Sequence, residues 1–184
     1  MTKVVDLAVQ LWDGFSSMSE LAPADDLFRQ ENRCRINPCI LRLVNYCAQA
    51  VLGVRKVEVV ETALDGQSRS CLWQNGEGVP SILIDLDQIA AAVPREDDRQ
   101  RIATRLLLHE IGHLVLHFPR SRGRNVGRIG VTWSEEEEAW AFCWTLLNLA
   151  LFSVVRASRE TNSTILGEAS HSGIQVSESW GKRS

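Results

Sequence analysis

The chain predicts an α+β fold: helices at both ends and a small antiparallel three-stranded sheet between them. Three observations carry this. Apolar residues recur at helical spacing in residues 4–15, 40–51 and 106–115. Between residues 54 and 85 the period drops to two and β-branched residues accumulate, with Asp65-Gly66 and Asn75-Gly76 as turns. From Arg95 to Phe118 no proline interrupts a run of strong helix formers. At 184 residues, 45% hydrophobic and 23% charged, the chain has the balance of a soluble protein with one main domain. A net charge of -3 provides no global positive field, so direct nucleic-acid binding is not expected.

Val4, Leu7, Ala8, Leu11, Trp12 and Phe15 form the apolar stripe of a first helix. Residues 16–19, Ser-Ser-Met-Ser, end it, and Pro23 to Glu31 is a short second helix or a loop. Residues 1–36 are thus an N-terminal helical segment. The main domain, 37–159, opens at Asn37-Pro38, a cap followed by proline at the first helical position. Ile40, Leu43, Val44, Cys47 and Val51 line one face of that helix, and Gly53 stands where a terminating glycine belongs. Val54–Glu61, Arg69–Gln74 and Val79–Asp85 read as a meander, with Pro80 arguing for an edge position of the third strand. Ile89 to Val93 reads as an apolar turn. A long helix then runs from about Asp97 to Phe118-Pro119, its start favoured by Glu96, Asp97 and Asp98.

Arg120 to Trp133 is glycine-rich, carries Arg120, Arg122, Arg124 and Arg128, and reads as a solvated connection. A last long helix follows. Its stretch Ala139–Val155 has no charge, but it is short for a membrane span, contains Thr145, Asn148 and Ser153, and abuts four glutamates. A buried core helix is expected, and no membrane partner. Residues 160–184, rich in Ser, Thr, Gly and Glu, are expected to form a disordered tail. Asp6 and Asp13 break the apolar N-terminus, so no signal peptide is read and a cytoplasmic location is expected. Five cysteines without a C-x-x-C pair fit reduced thiols there. A second zinc site from Cys34, Cys39 and Cys47 fits no familiar ligand spacing, and buried small apolar residues are the expectation.

The chemistry concentrates in His109-Glu110-Ile111-Gly112-His113. Residues four apart on a helix lie only about 40° apart around its axis, so His109 and His113 share a face and can chelate a divalent metal, usually zinc. Glu110, one step round, can act as general base toward water. Such a site needs a third protein ligand. Ser134 and Glu137 have capping-box spacing, which gives Glu137 a structural task. Glu136 shares a face with Ala139, Cys143 and Leu146 and is the preferred ligand; Glu135 and Glu138 flank that face and stay open. His117 continues the i+4 series, but three histidines over about 12 Å of helix cannot all reach one zinc. It is expected beside the ligands, at the helix end or facing substrate.

His109-Glu-Ile-Gly-His-Leu-Val-Leu-His117, followed by Glu136-x-x-Ala139-x-x-Phe142-Cys143, resembles the ImmA/IrrE-type metallopeptidases. Their pattern is His-Glu-x-Gly-His-x-x-x-His and then Glu-x-x-Ala-x-x-Phe-Ala. The likeness covers roughly Arg42 to Phe152 and departs at Cys143 and at the bulky Trp140 and Trp144. It implies a zincin-like fold and a gluzincin-like site: His109, His113 and Glu136 as zinc ligands, Glu110 as catalytic base. It also implies an endopeptidase that cleaves a helix-turn-helix transcriptional repressor and so derepresses a mobile element or stress genes. The alternative is a non-catalytic zinc-binding regulator that acts by binding a repressor. For the peptidase, strand addition along Val79–Asp85 would align the substrate. His117, Tyr46 and a loop arginine are the candidates to stabilise the oxyanion.

Overall fold

The computed structural model describes residues 2–18, 36–66, 68–121, 127–129 and 132–171, with side chains as far as 156. Helix α1 (Thr2–Ser17) buries Val4, Ala8, Leu11, Trp12 and Phe15, the stripe that its periodicity dictates. Helix α2 (Pro38–Leu52) starts and stops as its sequence requires. The Asn37 side chain accepts from the Cys39 amide at 2.8 Å, and Gly53 closes the helix in the left-handed region at φ 69°.

The sheet has four strands rather than three and is mixed rather than antiparallel. Strands β1 (Glu58–Glu61), β2 (Ser70–Gln74), β3 (Pro80–Ile84) and β4 (Gly127–Ile129) lie in the order β1-β3-β2-β4. The expected hairpin joins β2 to β3, with Leu72 opposite Ile82. Strand β1, however, runs parallel to β3, Glu58 opposite Ser81 and Glu61 opposite Ile84. The link from β1 to β2 therefore crosses the end of β3. Asp85 ties it there: its amide donates to the Arg69 carbonyl and its carboxylate accepts from the Leu64 amide, both at 2.9 Å. So β3 is an inner strand, and the edge position expected from Pro80 is wrong. Pro80 is the first residue of the strand and pairs with Gln74 alone, while the β1 ladder begins at Ser81, so its missing donor costs nothing. The fourth strand hides in the glycine-rich arginine stretch, where three residues are too few to show a period.

The Asp85 carboxylate also caps α3 (Leu86–Ala92) through the Gln88 amide at 2.8 Å, making a short helix of the expected apolar turn. Helix α4 (Glu96–Leu116) is the centre of the molecule, packed against β2, β3, α2, α3 and α6. Nine consecutive residues, Leu107 to Val115, are buried in it, so all sides of the helix face protein. The sheet covers it with Leu72, Ile82 and Ile84, each fully buried and each contributing about 1.5–3 kcal/mol. After His117 a single turn, α5 (Phe118–Ser121), buries Phe118.

Helix α6 (Trp133–His171) lies along α4 and α1. Its Trp133–Arg156 stretch has the length and apolarity to cross a membrane, yet Ala139, Phe142, Cys143, Leu146 and Ala150 are fully or almost fully buried in the core. The backbone of α6 is helical to His171, within the 160–184 stretch expected as a disordered tail. Residues 172–184, Pro23 to Glu31, Cys34, Arg122 and Arg124 lie outside the described residues. The four described cysteines are buried, as expected of small apolar residues, and form no disulfide with one another; burial pushes the Cys47 and Cys143 thiols up to about 12.

The α4–α6 contact is closest at the motif. A Cβ on Gly112 would lie 2.9 Å from both the Cα and the carbonyl oxygen of Ala139. Only glycine lets the two backbones meet there, and that contact brings the glutamates of α6 to the histidines of α4.

Candidate metal centre

His109, His113 and Glu136 converge, one ligand atom from each lying within 4.8 Å of the others. His109 Nε2 is 3.0 Å from His113 Nε2 and 3.0 Å from Glu136 Oε2, and His113 Nε2 is 3.7 Å from Glu136 Oε1. Ligands at about 2.1 Å from a tetrahedral centre stand roughly 3.4 Å apart, so the three spacings suit one zinc-sized ion. Both imidazoles are buried, and desolvation first of all, then the neighbouring positive charge and imidazoles, depress their pKa values to about 4 and about 3. They are neutral at pH 7, the form that ligates. The Trp140 ring packs on His109, centroids 4.3 Å apart, which restricts that imidazole's rotation.

The local fold explains why Glu136 is the glutamate that arrives. Helix α6 begins at Trp133, so its cap is Thr132 and not Ser134. Glu135 Oε2 accepts from the Thr132 amide at 3.1 Å and its hydroxyl at 2.8 Å, which makes Thr132–Glu135 the capping box. The capping expected of Ser134 with Glu137 is displaced by two residues, and Glu137 is exposed. Glu138 Oε2 lies 3.0 Å from His117 Nε2 and 4.0 Å from Arg120 Nη1. Glu135 and Glu138 thus have other partners, and Glu136 is left to the histidines. Burial raises its pKa, while Arg128 pulls it down.

Glu110, next to His109 in sequence, is also buried. Ser70 Oγ on β2 donates to Glu110 Oε1 at 2.6 Å, while Oε2 is buried with no partner among the described residues. Desolvation pushes this carboxyl up to about 7, with the Ser70 hydrogen bond opposing the rise and Glu136 adding to it. A carboxyl that titrates near neutral pH, one oxygen held and the other unengaged, is equipped to take up and return a proton.

Sequence reasoning missed Ser70. The available signal was a hydroxyl in register with Leu72 and Gln74 on the inward face of a strand. Because its hydrogen bond stabilises the carboxylate, Ser70→Ala is expected to raise the Glu110 pKa further. Titration of ¹³C-labelled glutamate carboxyls checks this, and an unmoved or lowered pKa would contradict it.

Arg128, on β4, donates to Ser68 Oγ at 2.8 Å and stands 3.7 Å from Glu136 Oε1. Of the three oxyanion candidates it is the one placed at the site. Tyr46 packs against Phe15 on α1, centroids 5.7 Å apart. His117 is the C-cap of α4, at the helix end as expected, and contacts His113 and Glu138.

Comparison with protein-family models, with curated protein sequences and with solved structures gave no match.

Proposed function

We propose that this chain is a cytoplasmic zinc metalloendopeptidase of the ImmA/IrrE type, zincin-like in architecture, whose substrate is a helix-turn-helix transcriptional repressor. One observation carries the reading: two buried neutral imidazoles and a carboxylate at ligand spacing, with the buried carboxyl of Glu110 next in sequence to the first of them. The resemblance of the two sequence motifs to that family is what supports the family and the substrate class. When bound, zinc supplies Lewis acidity and makes water acidic enough to react near neutral pH. Glu110 takes the water proton on its unengaged oxygen and returns it to the leaving peptide nitrogen. Arg128 offers positive charge to the carbonyl oxygen under attack. Since β3 is an inner strand, the substrate aligns instead on β4, the outermost strand on the Arg128 side of the sheet.

The test is zinc content together with incubation against a candidate repressor, such as one encoded beside this gene. The wild type is expected to hold one equivalent of zinc and to release a truncated repressor identifiable by mass spectrometry. Glu136→Ala is expected to lose both. Full zinc in Glu136→Ala rejects that ligand, and repressor left intact but unable to hold its operator favours a non-catalytic regulator.

A further inference from the structure

Beyond the three ligands and the base, α4 and α6 share a second, outer chain of contacts. His113 Nδ1 lies 2.9 Å from His117 Nδ1, and His117 Nε2 lies 3.0 Å from Glu138 Oε2. His113 and His117 are both almost fully buried, so neither contact is a passing surface encounter. Resting on the metal reading above, we propose that His117 and Glu138 are positioning residues. They hold His113 as the tautomer with hydrogen on Nδ1, which leaves its Nε2 lone pair for the metal.

The proton count fixes the direction. An ionised carboxylate only accepts, and Glu138 Oε2 faces two donors, His117 Nε2 at 3.0 Å and Arg120 Nη1 at 4.0 Å. The hydrogen of the outer contact therefore sits on His117 Nε2. In the His117 tautomer with its hydrogen on Nε2, Nδ1 is an acceptor, and the hydrogen of the inner contact then sits on His113 Nδ1. His113 Nε2, which faces His109 Nε2 and Glu136, is then a bare lone pair. Reversing the chain would put hydrogen on that atom and block ligation. Histidine ligands are usually braced in this way through their other nitrogen.

The arrangement also explains the spacing. His117, one turn after His113, cannot be a ligand but is correctly placed to brace one. Glu138, two residues after Glu136, lets the same docking of α6 deliver both a ligand and the anchor of the brace. His109 differs: its Nδ1 is buried with no hydrogen-bond partner among the described residues, and it has the Trp140 ring against it instead.

Two measurements test the brace on the intact chain. Zinc affinity by chelator competition is expected to fall about 10–100-fold in His117→Ala and by a smaller factor in Glu138→Ala. Because Glu138 acts through His117, the double variant should bind no more weakly than His117→Ala alone. Long-range ¹H–¹⁵N spectra of the metal-free wild type should show His113 protonated on Nδ1, with the Nε2–H form gaining population in Glu138→Ala. Glu138 is half-exposed on a helix, so its variant carries the test if His117→Ala does not fold. Wild-type zinc affinity in both variants, fully additive losses, or an Nε2–H form of His113 in the wild type would overturn the brace alone. A wild type that takes up no zinc would overturn the metal reading and this role together.

Discussion

If the proposed peptidase reading holds, Glu110→Gln is expected to lower repressor cleavage by about 10²–10⁴-fold, the usual contribution of a positioned general base. Zinc content should stay at the wild-type level, because His109, His113 and Glu136 are untouched. The substitution keeps an oxygen to accept from Ser70 and removes the group that takes the proton. Undiminished cleavage by zinc-loaded Glu110→Gln would exclude the mechanism.

The same variant has a second signature, in the stability of the metal-free protein. Glu110 holds its proton up to about pH 7 when folded, against 4.5 as the ordinary value. Between those values the folded chain binds the extra proton, so its stability falls as pH rises from 4.5 through 7 and then levels off. The gap corresponds to roughly 3 kcal/mol. Glutamine has no such loss, so Glu110→Gln should match the wild type near pH 4 and exceed it by about that amount near pH 8. His109 and His113 act in the opposite sense: held below 6.5, they cost stability as pH falls from 6.5 toward 4 and 3. Both proteins carry them, so they cancel in the comparison. Denaturant titrations of the metal-free proteins at the two pH values decide it, and a difference that does not change with pH would show that Glu110 is not displaced.

Gly112→Ala is expected to damage the fold and the site together. On helix propensity alone, alanine would stabilise α4 by about 1 kcal/mol. Against that stands a Cβ 2.9 Å from two backbone atoms of Ala139, where no flexible side chain can give way. Overpacking of this kind costs about 1–3 kcal/mol, so the clash outweighs the propensity gain. Relief requires α4 and α6 to separate, and that moves Glu136, one turn before Ala139, away from His109 and His113. Ligand distances tolerate shifts of only about 0.2 Å, so zinc affinity should fall by a larger factor than the loss of stability alone implies. Thermal unfolding with chelator competition measures both. A stabilised variant with full zinc affinity would refute the close approach.

Individual residues show how far the chain could be read without coordinates. Asn37, Pro38 and Gly53 set the ends of α2 by local chemistry, and the structure keeps both ends where that chemistry puts them. His109 and His113 were legible for the same reason, since a helix alone fixes the relation of residues four apart. Ser134 and Glu137 had capping-box spacing too, yet the box belongs to Thr132 and Glu135. Two overlapping matches lie within one run, and only the point where α6 starts selects between them. Pro80 misled because a proline at the head of an inner strand and one on an edge strand look alike in sequence.

The sequence by itself determined what depends on neighbours along the chain: the long helices and the caps of α2, the β2–β3 hairpin, and a pair of imidazoles with a carboxylate on one helix. Tertiary structure decided what depends on residues far apart. It set β1 beside β3, drew β4 out of an arginine-rich stretch, and turned Ser70 toward Glu110. Most of all, it chose Glu136 from four adjacent glutamates. That choice rests on how α6 lies against α4, which the missing side chain of Gly112 permits at a contact with Ala139, far along the chain.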